Sequence, residues 1–332
     1  MTKKSTGPAI ACIGGGTGSA RLLRGLKKIT QNLTAIIAVS DDGGGSGVLR
    51  DELGIPPPGD IRNCMQALSN VEPTIAQLMD YRFDSGRLDG QSFGNLFLAA
   101  MNGISESFDK AVIKMGEVLS ITGRILPVTN DNIYLCAEFE DGSRVRGESK
   151  IASAKNERLS RIKRVELSPP DAAALPECVE ALEKADIVIL GPGSLYTSII
   201  PNLLVDGIAE AIANSDALKI YICNIMTEPG ETDGYSISEH IRGIFDHSNA
   251  KLFDYCIVNN IQAAWEVMER YAKSGAEPVI VDEDAVEMLG VEMIRAEIAD
   301  VSGDFFRHEP EKLAREISRL FMKTAPTRIF EA

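Results

Sequence analysis

The stretch PAIACIGGGTGS at residues 8–19 decides the fold class. Its first half is a short apolar run that is typical of a buried strand, and its second half is a glycine-rich turn. A helical pattern follows, with Leu22, Leu23 and Leu26 on its apolar face, and residues 34–39 (TAIIAV) predict a second strand. Strand, turn, helix and strand in this order predict a parallel βαβ unit with a right-handed crossover.

Helices and strands alternate through most of the remaining chain, with one interruption. Residues 124–168 show apolar and polar residues in alternation around Asp141-Gly142, which is a strong hairpin signal. This insert is either a small separate lobe or an edge extension of the main sheet. We therefore predict a Rossmann-like, doubly wound α/β fold with a mostly parallel sheet and an antiparallel β insert. The predicted domain consists of residues 1–123 and 169–332, and its later strands are at 186–190, 218–223, 254–259, 278–281 and 292–298.

The composition excludes several classes of protein. Lys and Arg number 34 against 48 Asp and Glu in 332 residues, a net charge of −14, which disfavours nucleic acid and anionic membranes as partners. None of the six cysteines forms a C-x-x-C pair, as expected for buried thiols in a reducing compartment. The longest apolar run is far shorter than the ~20 residues of a membrane span. We expect a soluble, cytoplasmic protein that inserts into no membrane and binds no nucleic acid.

The turn after the first strand consists of small residues, namely Gly14, Gly15, Gly16, Thr17 and Gly18. The missing side chains let backbone N–H groups approach a phosphate, and the N-terminus of the next helix adds about half a positive charge. The spacing matches a dinucleotide fingerprint with a small residue at its third position, and the Lys-Ser/Thr ending of a P-loop is absent. The turn therefore predicts nucleotide or phosphate binding. The alternative is a tight turn that only packs the helix on the strand.

Acidic side chains follow the second strand and open a later helix. The loop SDDGGGSG carries Asp41 and Asp42, and the segment PPGDIRN carries Asp60, Arg62 and Asn63. An acid at this distance from the glycine turn is where a ribose hydroxyl acceptor is expected. Two acids followed by five small residues further suggest a mobile loop that closes on a ligand, or a metal-binding edge. Asp60 is either a helix N-cap or a ligand-facing carboxylate.

A second turn and a long polar loop also follow buried strands. Gly193 and Ser194 lie in GPGS, and Asn224 opens the loop NIMTEPGETDG. A nucleoside diphosphate brings about two negative charges, which helix N-termini alone offset only weakly. The acids must therefore face hydroxyl groups or hold Mg²⁺, or an arginine must neutralise the phosphates. The arginines considered for this role are Arg50, Arg62 and Arg307.

Six motifs in order, between residues 14 and 235, resemble the gluconeogenesis factor (YvcK-like) family, a branch of the superfamily of 2-phospho-L-lactate transferase (CofD-like), and the resemblance extends over roughly residues 9–323. They are GGGTGSARLLRGLKK, SDDGGGSGVLRDELGIPPPGDIRN, SFGNLFLAA, DGSRVRGESKI, GPGSLYTSIIPNLLV and ICNIMTEPGETDGY. The resemblance implies a cytoplasmic Rossmann-like protein that binds a UDP-sugar, typically UDP-N-acetylglucosamine, and supports cell shape and growth on gluconeogenic carbon sources. The transferase branch instead uses a guanosine nucleotide and a divalent metal to transfer a phospholactyl group to a deazaflavin.

The resemblance also implies roles for individual residues. It puts Thr17 at the ligand, Asp41 or Asp42 and Asp60 near a metal, and Arg307 at the UDP-sugar, and it adds Asn95 of SFGN to the candidate site. This sequence departs from the family pattern at three positions, where a second Ser, an Arg and a His are usual. The residues found there are Gly45, Val48 and Gln91.

Three functions are compatible with these features. The first is a UDP-sugar-binding regulatory protein without turnover, whose ligand-closed form an unidentified protein partner recognises; no cofactor is required. The second is a phospholactate-type transferase in which Asp41 and Asp60 hold Mg²⁺. The third is a nicotinamide-dependent oxidoreductase, which the glycine turn and Asp41 alone would allow. The sequence favours the first, names no catalytic residue, and leaves a homo-oligomer open.

Overall fold

The computed structural model describes residues 7–154, 160–301 and 305–328. Seven parallel strands form the central sheet in the order β10-β9-β8-β7-β1-β2-β3. From β1 the chain builds the sheet first in one direction and then, after the insert, in the other. The strands of this sheet are β1 (Ile10–Gly14), β2 (Leu33–Ile37), β3 (Arg124–Pro127), β7 (Ile187–Leu190), β8 (Leu218–Ile222), β9 (Tyr255–Asn259) and β10 (Glu292–Ala296).

Helices cover both faces of this sheet, as a parallel sheet requires. In the first half they are α1 (Gly16–Leu26), α2 (Gly44–Leu53), α3 (Gly59–Leu68), α4 (Pro73–Asp80), α5 (Phe93–Gly103), α6 (Phe108–Val118) and α7 (Glu148–Ala154). In the second half they are α8 (Pro176–Glu183), α9 (Ile200–Leu203), α10 (Ile208–Asn214), α11 (Ile237–Ser248), α12 (Trp265–Lys273), α13 (Glu283–Glu287) and α14 (Pro310–Arg328). A 3₁₀ turn at Gly86–Leu88 and a π-helical turn at Leu195–Ile199 complete the set.

The βαβ unit predicted from the first residues is present, and its apolar residues form the centre of the core. Strands β1 and β2 are buried along their whole length and pair in parallel from Ile10 opposite Leu33 to Gly14 opposite Ile37. The apolar face of α1, with Leu22, Leu23 and Leu26, is fully buried. The predicted α/β class with a mostly parallel sheet is confirmed.

The antiparallel insert is confirmed as a separate three-stranded sheet, but it begins later than predicted. Its strands are β4 (Tyr134–Phe139), β5 (Arg144–Arg146) and β6 (Ile162–Ser168), in the order β5-β4-β6. Residues 124–127 were expected in the insert and instead form β3 at the edge of the main sheet, parallel to β2. A two-stranded hairpin of β11 (Ala299–Asp300) and β12 (Arg307–His308) lies before α14.

Two further predictions from the sequence are wrong. The glycine-rich segment 41–47, expected to be a mobile loop, contains the start of α2 at Gly44, with Ser46 and Gly47 buried. Residues 278–281, expected to be a strand, make only isolated bridges, at Pro278 with Met226 and at Ile280 with Ser236. Across the described ranges, every helix is too short or too polar to cross a bilayer.

Candidate functional site

The strand order reverses between β1 and β7, and a hollow lies at the carboxyl ends of these two strands. Ligands of open α/β sheets bind at this kind of switch point. The hollow has a volume of about 360 Å³. Eight of the residues predicted from the sequence line it, namely Gly15, Gly16, Thr17, Gly18, Gly193, Ser194, Asn224 and Arg307.

The floor of the hollow is made by two turns whose backbones nearly touch. A Cβ at Gly18 would lie 2.5 Å from the carbonyl oxygen of Pro192, so only glycine fits there. The Asn224 carboxamide holds the second turn in place: its Nδ2 donates to the Gly193 carbonyl at 2.9 Å, and its Oδ1 accepts the Gly193 N–H at 3.3 Å. Asn224 therefore positions this floor. Gly14 lies behind the hollow, where its carbonyl accepts a hydrogen bond from Asn202 Nδ2.

Two guanidinium groups stand at the rim of the hollow. Arg21 donates from Nη1 to the His308 carbonyl at 3.1 Å, and Arg307 lies with its guanidinium carbon 4.5 Å from the centre of the Phe305 ring. Burial and then the nearby Arg307 charge lower the pKa of Arg21. Two like charges held close together in an acidic protein indicate a site for an anion.

Arg21 was missed as a site residue because the helical pattern placed it simply on the polar face of α1. The signal was available in the spacing. Arg21 lies four residues after Thr17, and residues at this interval share one face of a helix. Both line the hollow.

Two other arginines considered for phosphate binding, Arg50 and Arg62, make structural contacts outside the hollow. Arg50 is only 2% exposed and donates to the backbone carbonyl of Ile133 and to Asn132 Oδ1, while its guanidinium carbon lies 3.6 Å from the centre of the Tyr134 ring. It therefore ties α2 to the start of the insert. Arg62 donates to Asn63 Oδ1 at 2.7 Å and to Gln66, and lies 3.6 Å from an Asp80 oxygen.

Arg62, Asn63 and Asn95 do not line the hollow. Asn95 is buried near the start of α5, where its backbone N–H donates to the N-cap Ser92. Its Oδ1 has no hydrogen-bond partner among the described residues. The structure therefore does not bring these three side chains into the hollow.

The predicted acids lie against the other side of the glycine turn. The backbone N–H of Gly16 donates to the Asp60 carboxylate, and a Cβ at Gly15 would lie 2.5 Å from Asp60 Oδ2. Asp60 makes no capping hydrogen bond in α3, whose N-cap is Pro58, so its carboxylate serves the glycine turn instead. Burial, followed by the charge of Asp41, raises the pKa of Asp60 to about 6.

Asp41 faces the same region and is held by its own loop. Its Oδ1 accepts the Gly43 N–H at 2.8 Å, and burial is the main cause that raises its pKa. Asp42 has a different role, because it accepts the Ser149 N–H at 2.8 Å and so anchors α7 of the insert. Asp41 and Asp60 form the carboxylate pair, and Asp42 stands beside it.

Two glutamates that the sequence did not single out complete this acidic region. Glu148 begins α7, and burial followed by the charges of Asp41 and Asp60 raises its pKa well above the ordinary value. Glu231 is 4% exposed and accepts hydrogen bonds from Thr197 Oγ1 at 3.0 Å and the Tyr196 N–H at 3.3 Å. Burial and then Glu228 raise the pKa of Glu231 to about 8. Neither glutamate could be found by local spacing, since each lies far from Asp41 and Asp60 along the chain.

Oxygen ligands of the Asp41 and Asp60 type suit a hard cation such as Mg²⁺. Within residues 7–154, 160–301 and 305–328, however, no three His, Cys, Asp or Glu side chains are grouped so as to hold a metal ion. The two aspartates could therefore supply only part of a coordination shell. Water or a ligand phosphate would have to supply the rest, as is usual for Mg²⁺.

Comparison with known proteins agrees with this architecture. The family model of 2-phospho-L-lactate transferase CofD matches residues 10–299. The gluconeogenesis factor of Bacillus subtilis is 46% identical over 92% of this chain and 96% of its own length. A second gluconeogenesis factor, from Halalkalibacterium halodurans, is 48% identical over 96% of each chain.

A solved structure shows the same fold. The crystal structure of a protein from Bacillus halodurans superposes with a TM-score of 0.90 at 47% identity, covering 94% of this chain and 99% of the other. Sequence identity at this level over nearly the whole length of both chains shows family membership as well as a shared fold. The chain belongs to the CofD family and, within it, to the gluconeogenesis factors.

Proposed function

We propose that this protein binds a UDP-sugar, UDP-N-acetylglucosamine, in the hollow at the switch point, and that it acts without turnover as a cytoplasmic regulatory protein. One observation carries the proposal: the glycine turn, the N-terminus of α1 and the guanidinium groups of Arg21 and Arg307 all border one hollow. The uridine and the sugar follow from the resemblance to the gluconeogenesis factors.

The charges on the two sides of the glycine turn support this orientation of the ligand. A diphosphate needs positive charge and free N–H donors, and Arg21, Arg307 and the first turn of α1 supply both. The Asp60 carboxylate lies behind the turn, on the Gly16 N–H, so it repels the phosphates less than it would inside the hollow. The ligand's diphosphate therefore belongs on the side of Arg307.

Calorimetric titration with UDP-N-acetylglucosamine tests the binding. We expect saturable binding by the wild-type chain, and a loss of about tenfold to a hundredfold in affinity for Arg307→Ala, because a charge-assisted hydrogen bond contributes about 1.5–3 kcal/mol. Thr17→Ala should weaken binding less. Arg319→Ala, an exposed arginine of α14, is the matched control and should bind as the wild type does. Wild-type protein that gives no binding would refute the proposal.

The cellular part of the proposal is support of cell shape and of growth on gluconeogenic carbon sources. Expression of this chain in a Bacillus subtilis strain that lacks its own gluconeogenesis factor should restore growth and rod shape on such a carbon source. The Arg307→Ala variant should restore neither at equal expression. Restoration by this variant would show that ligand binding at the hollow is not needed for the cellular role.

The carboxylate pair of Asp41 and Asp60 favours a second candidate, a phospholactate-type transferase that requires Mg²⁺. When bound, the metal would neutralise phosphate charge beside the hollow, and the two aspartates would hold it. Incubation with Mg²⁺, phospholactyl donors and deazaflavin acceptors should then yield a product that Asp60→Asn abolishes. A wild-type chain that forms no product with any donor and acceptor pair would exclude this candidate.

A further inference from the structure

A second cavity lies beside the hollow and has about twice its volume. It measures about 700 Å³ and opens at the carboxyl ends of β8 and β9. Asn224, Ile225 and Phe306 line both cavities, so the two share one wall. A ligand whose charged part occupies the hollow can therefore extend into this second cavity without crossing the sheet.

The second cavity differs from the hollow in its chemistry. Its walls are mainly apolar, with Val258, Met268, Val279 and Phe306 among them, and Trp265 stands at its edge with 77% of its surface exposed. No Asp or Glu is among the described residues that line it, although the protein carries a net charge of −14. The polar lining groups are mostly carboxamides, together with the guanidinium of Arg295, which is paired with Glu283. Such a site suits a flat, neutral ring with a polar edge.

One carboxamide of the lining has a fixed orientation and an unused acceptor. Asn259 Nδ2 donates to the Ile261 carbonyl at 2.7 Å, which leaves Oδ1 as the free end of the group. This Oδ1 has no hydrogen-bond partner among the described residues. A buried acceptor without a partner is unfavourable, and a ligand N–H would satisfy it.

We propose that this second cavity is the nucleobase subsite, in which the uracil ring packs near Trp265 and offers its N3–H to Asn259 Oδ1. The inference rests on the proposed binding of a UDP-sugar and adds where its base lies. Uracil fits the lining because it is flat, uncharged and carries a single ring N–H between two carbonyl oxygens. The neighbouring Asn260 carboxamide can donate to one of those oxygens.

Trp265 is the only tryptophan of the chain, so all tryptophan emission comes from the edge of this cavity. In the full-length protein, UDP-N-acetylglucosamine and uridine should both change the Trp265 emission, since each places a ring beside the indole. Inorganic pyrophosphate, which has no base, should compete with UDP-N-acetylglucosamine for the hollow and leave the emission unchanged. An emission change with pyrophosphate equal to that with uridine would overturn the inference.

A variant that fills the cavity gives an independent measurement. Ala263 lines the cavity and Ala264, its exposed neighbour, does not, so Ala263→Phe and Ala264→Phe form a matched pair. We expect Ala263→Phe to lower the affinity for UDP-N-acetylglucosamine by at least about tenfold and to leave pyrophosphate binding unchanged. Ala264→Phe should bind both ligands as the wild type does.

The two proposals fail in different ways. Calorimetry that detects no UDP-N-acetylglucosamine binding by the wild type would remove the proposed function and this inference with it. Normal binding by the wild type, together with undiminished binding by Ala263→Phe and an unchanged Trp265 emission, would leave the function standing and overturn only the base subsite. Weakened nucleotide binding with intact pyrophosphate binding supports the subsite.

Discussion

Replacing Asp60 by Asn should stabilise the protein at neutral pH, although Asp60 contacts the glycine turn that borders the hollow. The carboxylate lies close to Asp41 in a partly buried position, and both burial and this neighbouring charge disfavour its ionised form. Asn keeps the shape of the side chain, and its Oδ1 can still accept the Gly16 N–H. The substitution therefore removes a charge and keeps a hydrogen bond.

The size of the effect follows from the pKa. The native pKa of Asp60 is raised from 3.8 to about 6, and one pKa unit corresponds to 1.36 kcal/mol, so the ionised carboxylate costs up to roughly 3 kcal/mol. Screening by solvent reduces this to about 1–3 kcal/mol. Because the folded state binds the proton more tightly than the unfolded state, the cost is absent below pH 3.8 and reaches its full value above about pH 6.

Urea unfolding of wild type and Asp60→Asn at pH 4, 5, 6 and 8, in the presence of a chelator, measures this difference. The variant should equal the wild type near pH 4 and exceed its free energy of unfolding by about 1–3 kcal/mol at pH 8. Asp216→Asn, an exposed carboxylate, is the control and should show no such trend. A variant that is less stable than wild type at pH 8, or a difference that does not change with pH, would refute the reasoning.

Other substitutions test separate parts of the account. Gly18→Ala should lower the free energy of unfolding by about 1–3 kcal/mol, because the added Cβ would meet the Pro192 carbonyl. Gly103→Ala is the control and should not lower it, because there is open space around Gly103. Equal stability of the two variants would contradict the close approach of Gly18 to Pro192. Arg50→Leu should destabilise by about 1–3 kcal/mol in urea unfolding and leave nucleotide affinity unchanged, and a selective loss of affinity would return Arg50 to the site. Glu231 has a pKa raised to about 8, so the free energy of unfolding of the wild type should fall between pH 5 and 8. Glu231→Gln should reduce that fall in urea unfolding. A pH dependence of the variant equal to that of the wild type would show that Glu231 is not protonated in the folded state.

Local patterns were sufficient for much of the fold and for the floor of the hollow. The apolar run before Gly14 and the helically spaced leucines of α1 specify the βαβ unit within about thirty residues, and the glycine turn lies between them. The parallel order of the strands then places Gly193 near Gly15, because both follow strands that meet at the switch point.

Tertiary contacts decided the elements that were predicted wrongly. Helix α2 has four small residues in its first turn, Gly44 to Gly47, and their low helix propensity indicates a loop. The helix forms because its first turn is packed into the protein, where Ser46 and Gly47 are buried. Ser46 lies so close to Gly59 at the start of α3 that a Cβ there would be 2.5 Å from the Ser46 Oγ. In the segment 278–281 the apolar residues indicate a strand, but Pro278 has no N–H to give to a sheet.

The roles of the arginines and glutamates depend on distances along the chain that no local spacing reveals. The Arg50 guanidinium donates hydrogen bonds to Asn132 and Ile133, more than eighty residues away along the chain, and therefore does not reach the phosphate site. Glu148 and Glu231 approach the carboxylate pair from the insert and from the loop after β8, and their residue types alone do not distinguish them from surface acids. Arg21 is the exception, because its helical interval from Thr17 was readable.

A crystal structure of this chain with UDP-N-acetylglucosamine tests the central claim most directly. We predict diphosphate oxygens within hydrogen-bond distance of the backbone N–H groups of Thr17 and Gly18 and of the Arg307 guanidinium. Diphosphate density on the opposite side of the glycine turn, against Asp41 and Asp60 and away from both rim arginines, would contradict it.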